Sequence, residues 1–254
     1  MRLEEIINAH RQDLNQTDMM IWKYIFNHRS ETRHVSIHSL ARACSVSSTT
    51  IVRFAKKLGF DGFGELKAVL KLEEPEKTAY KANVLKDLGV FYEKTWSQLM
   101  RRSYEDASRL VYEADRIFAF ASGYVQSNVV QELKRMFFYG DVLIYEIKGR
   151  EEFYSILRTL TPDDVFIFVS FSSESPAVVD FARQLQLKDV PLISITQLHD
   201  NTLASLSTAN LYVSSARFRL YEEDDERPQY QSMMPYFFLV EIWYVRYRMY
   251  VQKA

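Results

Sequence analysis

Five short apolar runs, separated by amphipathic stretches, constrain this chain more than any other feature. They are IFAFA (117–121), VLIYEI (142–147), DVFIFVS (164–170), PLISIT (191–196) and NLYVSS (210–215). The stretches between them, such as YVQSNVVQELKRMFFYG, EEFYSILRTL and PAVVDFARQLQL, carry helical periodicity. A strand that is apolar on both faces has no side left for water. The alternation therefore predicts a parallel sheet covered by helices on both faces. A last helix, from about Gln231 to Val251, is dense in aromatics.

The first 75 residues have a different texture, that of short helices. TDMMIWKYIFNH places Met20, Ile21, Tyr24 and Ile25 at helical spacing, with Thr17 as the expected cap. SIHSLARAC brings Ile37, Leu40 and Ala41 onto one face. In SSTTIVRFAKKLGF, Ile51, Phe54 (or Ala55) and Leu58 point inward and Gly59 stops the helix. Glu73-Glu74-Pro75-Glu76 breaks the composition and is the linker candidate. The expected organisation is a helical domain at 1–75, a linker and connecting helix at 76–102, and an α/β domain at 103–254. Val84, Leu88, Phe91 and Trp96 are the expected buried positions of the connecting helix. The acidic run YEEDDER (221–227) is expected to be a solvated loop.

A formal net charge of −1 conceals an asymmetry between these parts. Residues 29–71 hold eight Lys or Arg against three acids, a balance of +5, whereas residues 77–254 hold 21 basic and 23 acidic residues. Positive charge gathered on one part of a chain is the footprint of a nucleic-acid partner. A single cysteine, Cys44, excludes a disulfide framework and a Cys-rich zinc site. No run approaches the ~18 apolar residues of a membrane span, and the charged N-terminus lacks a signal-peptide core. A cytoplasmic protein without a cofactor is the expectation.

The basic segment holds a helix, a turn and a second helix: SIHSLARA, CSV, then SSTTIVRFAKKL. Ala41 is small where two helices approach, and Val46 and Ile51 fill the seam. Ser47 is the expected N-cap of the second helix. Its exposed start then presents Ser48, Thr49, Thr50 and Arg53, with Lys56 and Lys57 one turn on. Hydroxyls and guanidinium groups on a helix of this kind suit base edges and phosphates in a major groove. A solvated basic face on a structural bundle is the alternative. His34 and His38 share a helix face in this reading, as surface groups near DNA rather than metal ligands.

IHSLARACSVSSTTIVRFAKKLGFDGFGELKAVL resembles the N-terminal domain of RpiR-type bacterial transcriptional regulators, most specifically in TTIVRFAKKLGFDGFGELK. The family usually has glycine in the inter-helix turn, where this chain has Ser45. The second half resembles the sugar isomerase (SIS) domain that such regulators carry. The resemblance implies a phosphosugar at the C-terminal ends of the parallel strands, held by Ser- and Thr-rich loops. Ser170, Ser172, Glu174 and Ser175 match a family pattern close to Ser-x-Ser-Gly-Glu-Thr, with Ser173 in place of the glycine. Ser175 as N-cap and Pro176 at the first helical position make a helix start whose free N–H groups suit a phosphate. In the other loop, Ala121-Ser122-Gly123-Tyr124, Phe120 stands where glycine is more familiar, and Ser122 or Ser127 must supply the hydroxyl.

The resulting expectation is a DNA-binding regulator of sugar genes controlled by a phosphorylated sugar. It binds a duplex operator as a homodimer or higher oligomer, with the aromatic terminal helix (Tyr236, Phe237, Phe238, Trp243, Tyr244) offering apolar surface. Two alternatives stay open. The SIS-like domain is only a dimerisation scaffold, or it is a sugar-phosphate isomerase using Glu174 or His199 as base. A fused basic helix-turn-helix argues against the enzyme, because fold alone does not confer activity.

Overall fold

The computed structural model of the chain describes residues 3–72, 84–220 and 229–254. It divides into two units, Met1–Lys77 and Thr78–Ala254. The linker candidate at 73–76 and the acidic run at 221–227 lie outside the described residues.

In the first unit, polar caps fix where helices begin. After α1 (Leu3–Ala9) and a 3-10 turn at Arg11–Asp13, α2 (Gln16–Asn27) starts at Asn15, not at Thr17. Asn15 Oδ1 accepts from the Asp18 amide at 3.0 Å, and Asp18 Oδ2 accepts from the Asn15 amide at 2.9 Å. This reciprocal box satisfies two otherwise orphaned donors, which Thr17, two residues further on and already inside the helix, cannot do. The buried face of α2 is Ile21, Trp22 and Ile25, while Met20 points outward. Next come α3 (Arg29–Thr32), α4 (Ile37–Ala43), α5 (Ser48–Lys57) and α6 (Phe63–Leu72). Leu40, Ile51, Phe54, Ala55, Leu66 and Leu70 close one core with α1 and α2. Both Phe54 and Ala55 are fully buried. Gly59 ends α5 at φ +83°, a conformation that costs glycine little.

The second unit opens with α7 (Val84–Met100), within the stretch expected to connect the domains. It packs on the last helix of the same unit. Thr95 and Leu99 are its buried residues. Val84, Leu88 and Phe91 are half-buried, and Trp96, expected inside, is exposed with its ring edge-on to Phe238 at 5.8 Å. The chain continues through α8 (Glu105–Glu113), β1 (Arg116–Ala121), α9 (Tyr124–Phe138), β2 (Ile144–Ile147) and α10 (Arg150–Leu157). There follow β3 (Asp164–Val169), α11 (Pro176–Gln186), β4 (Leu192–Gln197), α12 (Thr202–Leu206) and β5 (Ala209–Val213). Two short strands, β6 (Arg217–Phe218) and β7 (Tyr230–Gln231), pair antiparallel before α13 (Met234–Val251).

The five main strands form one parallel sheet in the order β2-β1-β3-β4-β5. Alternate residues feed two cores. Ile117, Ala119, Ile167, Val169 and Ile195 pack with α8, α9 and α13, while Phe118, Phe166 and Phe168 pack with α10 and α11. Tyr236 and Trp243 of α13 are fully buried, and Phe237, Phe238 and Tyr244 pack partly buried against the same core. The aromatic helix expected to offer a surface packs Trp243 and Tyr244 against Phe137 of α9, and Phe238 against Tyr92 and Trp96 of α7, within its own unit. The order of the strands reverses at β1, since β2 lies to one side of it and β3 to the other. Open α/β sheets form a ligand crevice at the carboxyl ends of the strands where the order reverses. Here that crevice is bounded by the loops after β1 and β3.

Candidate functional site

In the first unit the two helices of interest are α4 and α5. Between them Val46 N–H returns to the Ala41 carbonyl at 2.9 Å, and Ser45 is held at φ +53°. A side chain in that left-handed region costs roughly 1–2 kcal/mol, which explains why glycine is usual there. Ser47 caps α5, accepting from the Thr50 amide at 3.1 Å and sharing a 2.9 Å hydrogen bond with the Thr50 hydroxyl. Ser48 Oγ is hydrogen-bonded to His38 Nδ1 at 3.0 Å, tying the start of α5 to α4. His34 precedes α4 and does not share its face with His38.

With Ile51, Phe54 and Ala55 inward, the outer face of α5 carries Thr49, Arg53 and Lys56, all exposed. Arg53 and Lys56 pair with no carboxylate among the described residues. Lys57 is different. Its ammonium donates to Asp18 Oδ2 at 2.5 Å, with the Asp18 side chain only 5% exposed. The structure therefore does not bring Lys57 to the face formed by Thr49, Arg53 and Lys56, because a hundred degrees of helix rotation turns it toward α2. Thr50 is likewise half-committed, through Ser47.

In the second unit, the loops after β1 and β3 meet at the reversal of strand order. Ser122 N–H donates to the Val169 carbonyl at 3.0 Å, and Ser170 N–H donates to that of Ile195 at 3.0 Å, so the loops are stitched to neighbouring strand ends. Ser170 is buried. Its hydroxyl accepts from the Ser173 amide at 3.1 Å, and its carbonyl accepts from the buried Tyr236 hydroxyl at 3.0 Å. Burial pushes the Tyr236 hydroxyl far above its ordinary value, keeping it a proton donor at this anchor. Ser173 stands at φ +60° with its hydroxyl buried and unpartnered among the described residues. This is where the RpiR pattern has glycine, and the backbone keeps the glycine conformation.

The remaining hydroxyls divide. Ser122 and Ser172 are exposed, while Ser127 donates to Glu146 Oε1 on β2 at 3.3 Å. Between Ser122 and Ser127, the geometry leaves the former open. Glu174 clamps the start of α12, accepting from the Thr202 amide at 2.5 Å and the Thr202 hydroxyl at 2.9 Å. His199 Nδ1 lies 2.9 Å from the Asp200 carbonyl. Ser175 occupies the N-cap position of α11 before Pro176, but its side chain makes no cap hydrogen bond. Gly123, the N-cap of α9, has no side chain to offer. Thus α9 and α11 both begin at the crevice without a side-chain cap; α8, α10 and α13 also lack one, whereas α2, α4, α5 and α12 are capped by Asn15, Ser36, Ser47 and Asn201. Open helix N-termini present N–H groups and positive potential. Phe120 lies beneath this level, its ring against Phe168 (5.7 Å) and Phe181 (5.2 Å) in the core under α11.

A capped two-helix DNA-reading element joined in one chain to a parallel α/β sheet of this order defines a two-domain transcriptional regulator. Residues 1–76 match the model described as a helix-turn-helix domain of the rpiR family, and residues 110–220 match the SIS domain. Over 241 residues the chain is 36% identical to the HTH-type transcriptional regulator GlvR of Bacillus subtilis (strain 168), covering 95% of this chain and 93% of that protein. It is 22% identical to the regulator HexR of Pseudomonas aeruginosa, over 76% of this chain and 73% of that one. The chain belongs to the rpiR family of helix-turn-helix transcriptional regulators. Among solved structures, the Vibrio vulnificus NanR protein complexed with ManNAc-6P superposes with a TM-score of 0.55 at 17% identity, over 98% of this chain and 96% of that chain. No helix among the described residues is long and apolar enough to cross a membrane.

Proposed function

We propose that this regulator reads duplex DNA with α5 and is controlled by a phosphorylated sugar bound at the β1/β3 crevice. The DNA reading rests on the outer face of α5, where Thr49, Arg53 and Lys56 stand exposed with no carboxylate among the described residues to neutralise the cations. Ser47 and Ser48 hold the helix start, and Thr50 stands beside them. Arg53 is the side chain placed to read base edges and Lys56 to meet a phosphate. A mobility-shift titration of the full chain at low salt tests this. Duplex affinity is expected to fall steeply with salt, and an absence of any shift overturns the reading.

The sugar-phosphate reading is carried by one observation: two helices, α9 and α11, open uncapped onto the crevice where strand order reverses. Ser122 and Ser172 add exposed hydroxyls there, while Ser170 is buried and holds the loop through the Ser173 amide. The fold is shared with NanR, whose solved structure is a complex with ManNAc-6P, and this supports a ligand of that class. Charge-assisted bonds to a phosphate contribute about 1.5–3 kcal/mol each. Ser172→Ala should weaken a bound hexose or amino-sugar phosphate about ten-fold, and Ser172→Asp should abolish binding by like charge. Calorimetry of the full chain against such a panel tests it. Heat from none of them, with DNA affinity unchanged, leaves the domain as a scaffold.

Glu174 and His199, the groups an isomerase would need as base, are both engaged with the α12 segment, which favours sensing over catalysis. The regulator acts in the cytoplasm as a homodimer, since paired half-sites require paired readers. Besides the half-buried aromatics of α13, the end of α9 and the start of β2 offer surface for a second copy, where Phe138, Tyr139, Leu143 and Tyr145 are exposed.

A further inference from the structure

A cavity of about 320 Å³ opens in the second unit between the last turn of α7, the first turn of α8 and the end of α13. None of its lining residues belongs to the loops 121–127 or 170–176. Among the described residues its walls carry four cations, Arg101, Arg102, Arg246 and Lys253, against one carboxylate, Glu105. Two of the guanidiniums are fixed in place. Arg246 donates to the Met100 carbonyl at 3.1 Å, and Arg102 donates to the Tyr212 carbonyl at 3.0 Å while lying over the Tyr212 ring. Arg246 has five N–H donors, so this one contact leaves others for a ligand. Arg101 and Lys253 are exposed and pair with no carboxylate among the described residues.

The floor supplies an independent sign of a missing partner. Ser108, in the first turns of α8, lines the cavity at 1% exposure, and its Oγ has no hydrogen-bond partner among the described residues. An unpaired buried hydroxyl costs about 1–3 kcal/mol, and native folds rarely leave one without a reason. The start of α8 adds its dipole. Tyr104 at the N-cap position makes no side-chain cap there, because its hydroxyl donates to the Leu99 carbonyl at 3.1 Å. A buried donor, an uncapped helix start and an excess of three cations converge on one space. Met100, Met249 and Tyr250 give that space an apolar wall.

We propose that this cavity is a second ligand site, taking a phosphate-bearing small anion separately from the crevice at β1 and β3. The phosphate meets Arg101 and Arg246 and accepts from the Ser108 hydroxyl. The body of the ligand rests against the methionines and Tyr250. Such a site would let the regulator answer to a second metabolite, or to free phosphate, independently of its sugar.

The test uses the full chain carrying Ser172→Asp, so that the crevice is closed by charge and any remaining anion binding is read at this cavity alone. Inorganic phosphate and pyrophosphate are titrated calorimetrically at low salt. Saturable binding is expected, weakened about ten-fold by Ser108→Ala and about ten-fold by Arg101→Gln. The melting temperature of unliganded Ser108→Ala should equal or exceed that of its parent, since the hydroxyl contributes nothing until an anion is present. Pyrophosphate binding more tightly than phosphate points to an extended phosphometabolite, and equal binding points to the free ion; both support the site. No saturable heat, or heat unchanged by both substitutions, overturns it. Arg101 is exposed and structurally uncommitted, so its variant folds even if the Ser108 variant does not.

Discussion

Lys57 donates to Asp18 across 2.5 Å, joining the last turn of the second helix of the DNA-reading pair to the capping box that opens α2. A cation that looks in sequence like the neighbour of Lys56 therefore belongs to the fold. Two adjacent lysines should separate cleanly in experiment. Lys56→Ala is expected to lower the slope of log affinity against log salt by about one, with stability unchanged. Lys57→Ala is expected to leave that slope alone and to lower stability by about 1–3 kcal/mol, since it strands a nearly buried carboxylate. Urea denaturation beside salt-dependent binding checks both, and an equal loss of slope in the two variants contradicts the assignment.

Ser45 and Ser173 both hold a positive φ, at +53° and +60°. Relief of left-handed strain, about 1–2 kcal/mol, exceeds the added chain entropy of glycine, about 0.5–1 kcal/mol. At Ser173 the change also removes a buried, unpartnered hydroxyl. Ser45→Gly and Ser173→Gly are each expected to raise stability, by about 0.5–1 kcal/mol for the first and somewhat more for the second. Denaturant midpoints that fall instead would show that the serines are held by something other than their backbone.

Arg116 grips Asp164 at the start of β1 and β3 with two 2.7 Å hydrogen bonds, and the Thr161 amide adds a third at 2.8 Å. Burial pushes the Asp164 carboxyl up, but the Arg116 and Thr161 bonds outweigh it and the net shift is downward from the ordinary 3.8. A carboxylate lowered in the folded state adds stability that is full above its ordinary value and fades as pH falls through the folded one. Asp164→Asn should therefore be destabilising at neutral pH, with the gap to the native chain narrowing below about pH 4. A gap that is constant from pH 7 to pH 3 would deny the linkage.

Phe120 is the residue whose bulk threatens the crevice in sequence, yet its ring packs on Phe168 and Phe181 on the opposite side of β1 from Ala119 and Ala121. Phe120→Ala is expected to cost about 1–3 kcal/mol, less than a fully buried phenylalanine because the ring is only half-buried. Sugar-phosphate affinity should stay within two-fold of the native chain. A marked gain in affinity would mean that the ring does obstruct the ligand.

A surface leucine tests the proposed contact between copies. Leu143 is 58% exposed where the chain enters β2. Leu143→Arg should leave folding intact and shift light scattering toward the monomer, with DNA affinity falling in step. A dimer of unchanged strength would move the interface elsewhere.

The sheet was legible because its apolar runs carry no polar alternation, and a strand that is apolar on both faces admits only one environment. The helix-turn-helix was legible for a similar reason: Ile51, Phe54 and Leu58 recur at helical spacing behind a serine cap. Helix starts were less so. Thr17 and Asn15 are both cap-forming types, and only the reciprocal bond with Asp18 chooses between them. Trp96 looked like core by hydropathy, but burial depends on which face of α7 meets α13.

For the candidate sites the division is sharper. Sequence alone determined the residue types: hydroxyls after β1 and β3, cations along α5, and a serine in each of two places suited to glycine. It could not determine which of them remain available, because that depends on partners distant along the chain. Lys57 is taken by Asp18, Ser127 by Glu146 and Glu174 by Thr202, over separations of 39, 19 and 28 residues. The corner cavity was invisible for the same reason. Arg101 and Arg246 lie 145 positions apart, and only the packing of α7 and α8 against α13 gathers their charges around one unpaired hydroxyl. Local patterns fix an element because their physics is local. A site is fixed by tertiary structure, which decides which polar groups find each other and which are left for a ligand.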